Sequence, residues 1–384
     1  MSLQVARSPS RERMVSALEL EEADAVPVGD IGVDPPVARV FLGREPVYRN
    51  PRASLELVAE GKFDELEERT VKDQVELLHK ILRFDFVRVI LPGFARGTRV
   101  RKAGEDLWEV NGTLYRLHPV AGGLWLTERP QPTLELLRQE IDAAEKALEA
   151  VSSEPLGALT RITKQVGDGG LILCNIDAQW ISYDAARLVW FYRYPAEMRR
   201  LMAAKAKWAA AMAEAMLDAG ADGLLDPQDY ANKTGPFISL AQFEEFVASN
   251  LKAVVDAAHR KGGYYVQHTD GNVKRLIPLL LKCGLDGLNP LDTTSGMNLA
   301  EIKAEYGDRI CLFGNVDGVH ILPRGGRAEV AAETKRCLRE GSPGGGYVLT
   351  SSHSIHHGVK PENLLAMLET SFKLGEYPKP GRTG

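Results

Sequence analysis

Short apolar runs in the C-terminal half of the chain decide the fold, and the clearest are YYVQHT (264–269), GLNPL (287–291), ICLFGNV (310–316) and GYVLTSS (346–352). Each run is apolar at its start and ends in polar residues. This pattern is typical of a strand that is buried on both faces of a parallel sheet. GLILCNI (170–176) and GLLDP (223–227) have the same form, so the sequence predicts six such strands after residue 169.

Helical patterns lie between these runs. Apolar residues at i, i+3 and i+4 predict amphipathic helices over 195–219 and 240–258. Pro195 stands where a first helical turn tolerates proline, and Gly220 stands where a helix ends. Strands that alternate with helices in this way build a parallel α/β sheet.

Two more strands are predicted upstream, at AVPVGDI (25–31) and FVRVILPG (86–93), and each follows a helical pattern. The total of eight strand–helix units favours a closed (β/α)8 TIM barrel over an open, doubly wound sheet. We therefore expect the α/β fold class, with residues 1–384 forming one barrel domain.

Residues 94–130 interrupt this order. Polar and apolar residues alternate there, and Asn111-Gly112 is a strong signal for a tight hairpin turn. A helical pattern over 132–150 leads back to the barrel. The sequence thus predicts a β-hairpin insertion after the second strand, within an inserted region of about residues 94–165.

The composition excludes several classes of protein. With 47 Lys+Arg and 52 Asp+Glu the net charge is -5, which gives no reason to expect nucleic acid or an anionic membrane as partner. No apolar run reaches the length of a spanning helix, and the N-terminal residues lack the apolar core of a secretory signal. The 4 cysteines are too scattered for a disulfide framework. We expect a cytoplasmic protein, with a homodimer as one alternative for its oligomeric state.

Polar residues follow the predicted strands, at the end of a barrel where active sites form. Four of the 8 histidines lie after two strands, together with carboxylates and carboxamides. Imidazole beside carboxylate suits acid–base chemistry or a metal. The candidates are Asn175, Asp229, His268, Asp270, Asn315, His353 and His356.

Structural interpretations compete with these. An aspartate after a strand is often a helix cap, and Asp270 before Gly271 also suits a turn. His356 and His357 are adjacent, so only one of them readily faces a pocket. The chain has no self-sufficient metal motif, no Walker loop and no dinucleotide-binding glycine motif.

Three phrases resemble a known family: His268-Thr269-Asp270-Gly271, Gly314-Asn315-Val316-Asp317, and the Ser351–Ile355 stretch SSHSI. Over about residues 170–375 the chain is similar to the uroporphyrinogen decarboxylase superfamily. The resemblance implies a (β/α)8 fold. It implies either decarboxylation of a tetrapyrrole or methyl transfer that involves corrinoid proteins.

The true decarboxylases grip their substrate's carboxylates with an arginine-rich strand and loop. The matching stretch here, residues 28–34, has no arginine, and 89–93 lacks the aspartate of the next family motif. The chain therefore looks closer to the corrinoid-dependent methyltransferase branch. It departs from the coenzyme M type as well, because His268 pairs with Asp270 where a cysteine is usual, and Thr350–His353 has no cysteine.

The favoured hypothesis is a methyltransferase component that moves a methyl group from a small O- or N-methyl donor, such as a methoxylated aromatic, to a corrinoid on a partner protein. This is O-demethylation when the donor is an ether. His268 and Asp229 are assigned as zinc ligands or as an acid–base pair, Asp270 as ligand or orienter, and His353 as proton donor or third ligand.

Further residues are assigned to the substrate. Asn175 and Asn315 would position it by hydrogen bonds, and His356 is a further contact. Trp180, Tyr183 and Tyr230 would form an apolar wall, or simply pack within loops. The alternatives to methyl transfer are a lyase that decarboxylates a smaller acid, and a binding barrel without turnover.

Overall fold

The computed structural model describes residues 2–118, 123–128, 130–149, 151, 156–178, 180–182 and 184–378. Its strands, in chain order, are β1 (Phe86–Val89), β2 (Val100–Lys102), β3 (Leu107–Val110), β4 (Thr113–Leu117), β5 (Leu124–Leu126), β6 (Leu171–Asn175), β7 (Gly223–Asp226), β8 (Ala231–Asn232), β9 (Gly235–Pro236), β10 (Tyr264–His268), β11 (Gly287–Asn289), β12 (Cys311–Val316) and β13 (Tyr347–Ser351).

Seven strands form one parallel sheet in the order β1-β6-β7-β10-β11-β12-β13. Each neighbouring pair is parallel. These strands lie in the seven apolar runs predicted from residue 86 onward, so that part of the strand prediction is confirmed. The fold class is α/β, with a curled, TIM-barrel-like parallel sheet.

The first predicted strand, residues 25–31, is not a regular strand. Val28 forms a parallel bridge with Leu349 of β13, and the Val28 carbonyl accepts a 2.8 Å hydrogen bond from the Asp85 amide beside β1. Pro27 has no amide to donate, which limits the ladder that this segment can form. The segment nevertheless connects the two edge strands of the parallel sheet.

Between β1 and β6 the chain forms an antiparallel sheet in the order β2-β3-β4-β5. A two-residue turn at Asn111-Gly112, with φ of 49° and 86°, joins β3 to β4. The structure thus has four antiparallel strands where a single hairpin was expected. Two helices, Leu134–Glu149 and Gly157–Val166, lead back to the parallel sheet.

The α-helices surround the parallel sheet and contribute the outer layer. In chain order they are α1 (Arg11–Leu18), α2 (Pro35–Leu42), α3 (Pro51–Ala59), α4 (Phe63–Gln74), α5 (Leu134–Glu149), α6 (Gly157–Val166), α7 (Ala185–Leu188), α8 (Trp190–Arg193), α9 (Pro195–Asp218), α10 (Leu240–Gln242), α11 (Ser249–Arg260), α12 (Ile277–Lys282), α13 (Leu299–Tyr306), α14 (Ile321–Arg324), α15 (Arg327–Gly341) and α16 (Pro361–Leu374). Short π-helical stretches continue α4 over Val75–Ile81 and join α10 to α11 over Phe243–Ala248.

The predicted helix over 195–219 is observed as α9, whereas the one over 240–258 is divided by its π-helical stretch. Among the described residues, the helices include none with the length and apolar character needed to cross a bilayer.

The interior of the curled sheet has an apolar lower layer. Inward side chains of the strands, among them Phe86, Val266 and Phe313, pack with one another and with Met14 of α1. The Phe86 and Phe313 rings meet edge to face at 6.0 Å. This packing fills the lower end of the sheet with apolar side chains, so any polar site in the interior lies towards the carboxyl ends of the strands.

Candidate active site at the carboxyl ends of the strands

The upper layer of the interior is polar. Side chains alternate between the two faces of a strand, so the residue two positions beyond an inward apolar residue also faces inward. Beyond Phe86, Leu173, Val266 and Gly287 come, respectively, Arg88, Asn175, His268 and Asn289. These four side chains occupy the last inward positions of β1, β6, β10 and β11.

His268 is held by its neighbour in this layer. Its Nδ1 lies 2.7 Å from the Asn289 Oδ1, and the imidazole is buried. Because a carboxamide oxygen can only accept, Nδ1 carries the proton. The Nε2 lone pair is then available on the opposite side of the ring, which is the arrangement found in histidines that bind metals.

Two carboxylates face that Nε2 atom. Asp229 Oδ1 lies 3.8 Å from it and Asp270 Oδ1 lies 3.9 Å from it. The two loops are tied together, because the Asp270 amide donates a 2.7 Å hydrogen bond to Asp229 Oδ1. One ligand atom each from Asp229, His268 and Asp270 lies within 4.8 Å of the others, a spacing that suits a metal ion.

Asp270 uses its two carboxylate oxygens differently. Oδ2 accepts a 3.0 Å hydrogen bond from the His353 Nε2. Oδ1 is buried and has no hydrogen-bond partner among the described residues. A buried carboxylate oxygen without a donor is costly, and a cation between Oδ1, Asp229 and His268 would satisfy it. The donor set of one imidazole and two carboxylates fits zinc.

The electrostatics of this group follow from its contacts. The hydrogen bond that His353 donates to Asp270 raises the pKa of His353 to about 9, despite partial burial. Burial opposes ionisation of Asp270, but its interactions with His268 and His353, including the hydrogen bond from His353, outweigh burial and hold the pKa of Asp270 below the usual range. At neutral pH an ionised Asp270 therefore faces the proton on His353 Nε2.

His268 and His353, which are far apart in the sequence, thus meet on opposite oxygens of one carboxylate. His353 contacts Asp270 and lies outside the three-residue group that could hold a metal. In this geometry His353 orients Asp270, a candidate metal ligand.

Asn175 belongs to the upper layer, but its carboxamide oxygen accepts hydrogen bonds from Arg88 through Nε, at 3.1 Å, and through Nη2. Arg88 also donates a 3.0 Å hydrogen bond to the Ile31 carbonyl. Sequence reasoning assigned no role to Arg88. The sequence contained one signal for such a role, a charged residue inside the apolar run FVRV (86–89). Charged side chains are rarely buried unless another group pairs with them, so a charge in a buried strand suggests a functional role.

Asn315 is placed away from this layer. Its amide donates to the carbonyls of Leu291 and Met297, and its carboxamide oxygen accepts a 2.9 Å hydrogen bond from Arg336 of α15. These bonds occupy the carboxamide within the protein. The proposed substrate contact of Asn315 therefore has no support in this geometry.

His356 is likewise engaged by its own loop. Its Nε2 donates to the Gly318 carbonyl at 2.9 Å, and its Nδ1 accepts a 3.0 Å hydrogen bond from the Gly358 amide. With both ring nitrogens bonded to backbone, His356 shapes the loop that carries His353.

The residues of the predicted aromatic wall have different environments. Tyr230 is buried against Phe243 at 5.0 Å, and its hydroxyl donates to Gln267. Trp180 is buried and donates a 3.2 Å hydrogen bond to Asp226 Oδ2. Tyr183 lies outside the described residues. Tyr230 is a core residue here, whereas Trp180 lines a cavity.

Two cavities flank the upper layer. One of about 670 Å³ is lined by Tyr48, Arg49, Leu91 and His357 together with part of the antiparallel sheet. The other, of about 460 Å³, lies between α5 and α9 and is lined by Trp180 and Gln228. Gln228 directly precedes Asp229, and His357 lies in the His353 loop. Both cavities therefore adjoin the loops that carry the cluster.

Comparison with known proteins supports the resemblance drawn from the motifs. Residues 183–373 match the uroporphyrinogen decarboxylase (URO-D) family. The resemblance drawn from the motifs is thereby confirmed over this part of the chain.

Two relatives are named uroporphyrinogen decarboxylase. The protein of Thioalkalivibrio sulfidiphilus (strain HL-EbGR7) is 26% identical over 199 residues, which cover 48% of this chain and 51% of that protein. The protein of Methylibium petroleiphilum (strain ATCC BAA-1232 / LMG 22953 / PM1) is 28% identical over 263 residues, which cover 66% and 67%. The match thus spans about half the length of the first relative.

The structure is similar to that of a methyltransferase from Methanosarcina mazei, with a TM-score of 0.63 and 20% identity. This similarity covers 96% of this chain and 99% of the other. At such identity the likeness shows that the two chains share a fold.

Proposed function

We propose that this protein is the methyltransferase component of a corrinoid-dependent system, acting on a small O- or N-methyl compound. The observation that carries the proposal is the cluster of Asp229, His268 and Asp270, in which Asp270 Oδ1 is buried without a hydrogen-bond partner among the described residues. A cluster of this kind, at the strand ends of a URO-D fold, suits a zinc site for methyl transfer.

The residues have distinct tasks in this proposal. His268 Nε2 and one oxygen each of Asp229 and Asp270 would hold the zinc, while Asn289 fixes the His268 ring. When bound, zinc supplies a Lewis acid for the leaving oxygen or nitrogen of the methyl donor. The chain itself positions that atom and limits access of water to it.

His353 would supply the proton. A methyl ether reacts slowly because its alkoxide leaves poorly, and protonation lowers that barrier. The His353 side chain is half exposed and its Nε2–H is directed at Asp270, beside the cluster. With a pKa of about 9 the imidazolium keeps its proton at neutral pH and can release it to a developing alkoxide.

The methyl group would pass to a corrinoid carried by a partner protein. The open carboxyl ends of the strands, flanked by the two cavities, are where donor and acceptor could both reach the cluster.

A second candidate is a lyase that releases carbon dioxide from a smaller acid, with His353 and Asp229 as the proton-transfer pair. The names of the two relatives and the buried Arg88 favour it. This reaction needs no corrinoid, so the two candidates separate experimentally.

The test is methyl transfer from a panel of methoxylated compounds to free cob(I)alamin, followed by the change in corrinoid absorbance. We expect the wild-type protein to transfer methyl groups, His268→Ala to lose at least about 100-fold in rate, and His320→Ala, at an exposed histidine outside the site, to keep the wild-type rate. Carbon dioxide release from an acid panel without any methyl transfer would replace this proposal by the lyase.

A further inference from the structure

Arg88 is a buried cation without an anionic partner. Its side chain is 6% exposed, and its acceptors are a neutral carboxamide and a backbone carbonyl. Among the described residues it forms no ion pair with a carboxylate. Burial, reinforced by the nearby Arg49, lowers the pKa of Arg88 to about 10. A buried charge is usually paired, because its desolvation is otherwise uncompensated.

Tyr48 provides a second, independent observation. Its side chain is 1% exposed, and its hydroxyl has no acceptor among the described residues, since the Val33 amide that approaches it can only donate. Its phenol lies in the electrostatic field of Arg49 and Arg88. Buried hydroxyls are normally hydrogen-bonded. The O–H group of Tyr48 is therefore a second buried donor to which a bound ligand could offer an acceptor.

Arg49, the other arginine beside Tyr48, is not an unpaired cation. It is already neutralised by Asp34, through bonds of 2.9 and 3.3 Å. Asp177 and Asp226 act on Arg88 only through their electrostatic fields, and no carboxylate among the described residues forms an ion pair with it. Arg88 is therefore the guanidinium beside Tyr48 with which a ligand carboxylate could pair directly.

The position of Arg88 relates it to the cluster. Its guanidinium binds Asn175, the last residue of β6, so it reaches the carboxyl ends of the strands. Arg88 and His268 face the same interior from β1 and β10. The interior of a small barrel is only wide enough for side chains or one small ligand. Because both side chains face this interior, we infer that one small ligand could contact Arg88 and His268 together.

We propose that the substrate is a small monocarboxylate, whose carboxylate binds Arg88 with Tyr48 as a further hydrogen-bond donor, while its reacting group faces His268, Asp229 and Asp270. This inference rests on the proposed function and narrows it to donors such as methoxybenzoates. The 670 Å³ cavity is lined by Tyr48 and Arg49, the two residues whose electrostatic fields act on Arg88, so it is the cavity from which we expect the ligand to enter.

The test is calorimetric binding of 2-, 3- and 4-methoxybenzoate, each compared with its uncharged amide. We expect at least one acid to bind about 10-fold or more tightly than its amide, since hydrogen bonds to charged groups are worth that much. Arg88→Gln should abolish this preference. Tyr48→Phe removes an unbonded hydroxyl, so it should fold normally and weaken binding of the acid about 3- to 10-fold, with binding of the amide unchanged.

The inference is overturned if none of the acids binds, if acids and amides bind equally, or if Tyr48→Phe binds the acid as wild type does. Binding of inorganic phosphate that depends on Arg88, without binding of the acids, would overturn the carboxylate assignment. Because no corrinoid is present, these results are independent of the methyl-transfer assay. Unfolding temperatures of both variants check that they are folded.

Discussion

The two layers inside the curled sheet differ although the same strands build them. In the lower layer, Phe86, Val266 and Phe313 are fully buried and pack only against apolar neighbours. Two residues beyond Phe86 and Val266, the upper layer carries Arg88 and His268, and Asn289 of the neighbouring strand joins them. Unbonded polar atoms lie beside this layer. One layer is arranged for stability, and the other retains polar groups that stability alone does not require.

This contrast teaches that changes in the lower layer should affect unfolding, whereas changes in the upper layer should affect binding and catalysis. The structural reason is that the lower-layer side chains belong to one buried apolar cluster, while Asp270 Oδ1 is a buried polar atom without a hydrogen-bond partner within the described part of the chain.

The largest expected effect is in the lower layer. Phe313→Ala should lower the free energy of unfolding by about 3–5 kcal/mol, because it removes the ring that packs on Phe86 and leaves a cavity. Urea unfolding measures it. Tyr192→Ala is the matched control, since that aromatic ring is 68% exposed and its removal should cost little. Equal losses in the two variants would contradict the assignment of the lower layer to stability.

His353 should determine the alkaline limit of activity. Hydrogen bonding to Asp270 raises its pKa to about 9, so the proton donor is present below that pH and is lost as pH rises through it. We expect kcat to fall above about pH 9. His353→Gln should lower kcat about 100-fold and remove the fall in kcat above pH 9. His357→Gln, at an exposed neighbour in the same loop, should keep the wild-type kcat and its fall above pH 9. A fall above pH 9 that persists in His353→Gln would exclude the assigned role.

Asn289 should affect metal affinity more than stability. Asn289→Ala removes the acceptor that fixes the proton on His268 Nδ1, which should weaken zinc binding about 10- to 100-fold. Asn289→Asp keeps an oxygen acceptor and should restore most of the affinity. Competition with a zinc chelator measures both variants. Unchanged affinity in Asn289→Ala would mean that the ring is oriented by packing alone.

The smallest effect concerns Asp226, which lies outside both layers. Burial raises its pKa to about 8, despite hydrogen bonds from Trp180 and Tyr265. The carboxyl is therefore neutral when folded but ionises near pH 4 when unfolded, so its contribution to stability is lost as pH rises from about 4 to about 8. At pH 8 Asp226→Asn should be more stable by about 1–3 kcal/mol, with no gain at pH 4. A stability difference that is independent of pH would contradict this.

The strands were predictable because they are buried on both faces, which produces continuous apolar runs such as those containing Val266 and Phe313. The segment around Val28 was harder, since its pairing with β13 is a single bridge that depends on the distant Leu349. The extra antiparallel strands were missed because short, partly exposed strands such as β2 and β5 carry weak patterns.

Within the site, the rule that parallel strands end at one face sufficed to predict that His268, Asp270 and Asp229 would meet. That rule does not give the direction of a side chain. It therefore assigned Asn315 to the substrate, whereas α15 engages it through Arg336. It also overlooked Arg88, whose long side chain starts inside the strand and reaches the strand end only in three dimensions.

The most direct test of the central claim is equilibrium zinc binding to the metal-free protein, compared between wild type, His268→Ala and Asp270→Asn. We predict one zinc per wild-type chain and loss of at least about 100-fold in affinity in both variants, with unfolding temperatures near that of the wild type. Absence of zinc binding in the wild type, or binding that survives His268→Ala, would contradict the assignment of a metal site to the upper layer.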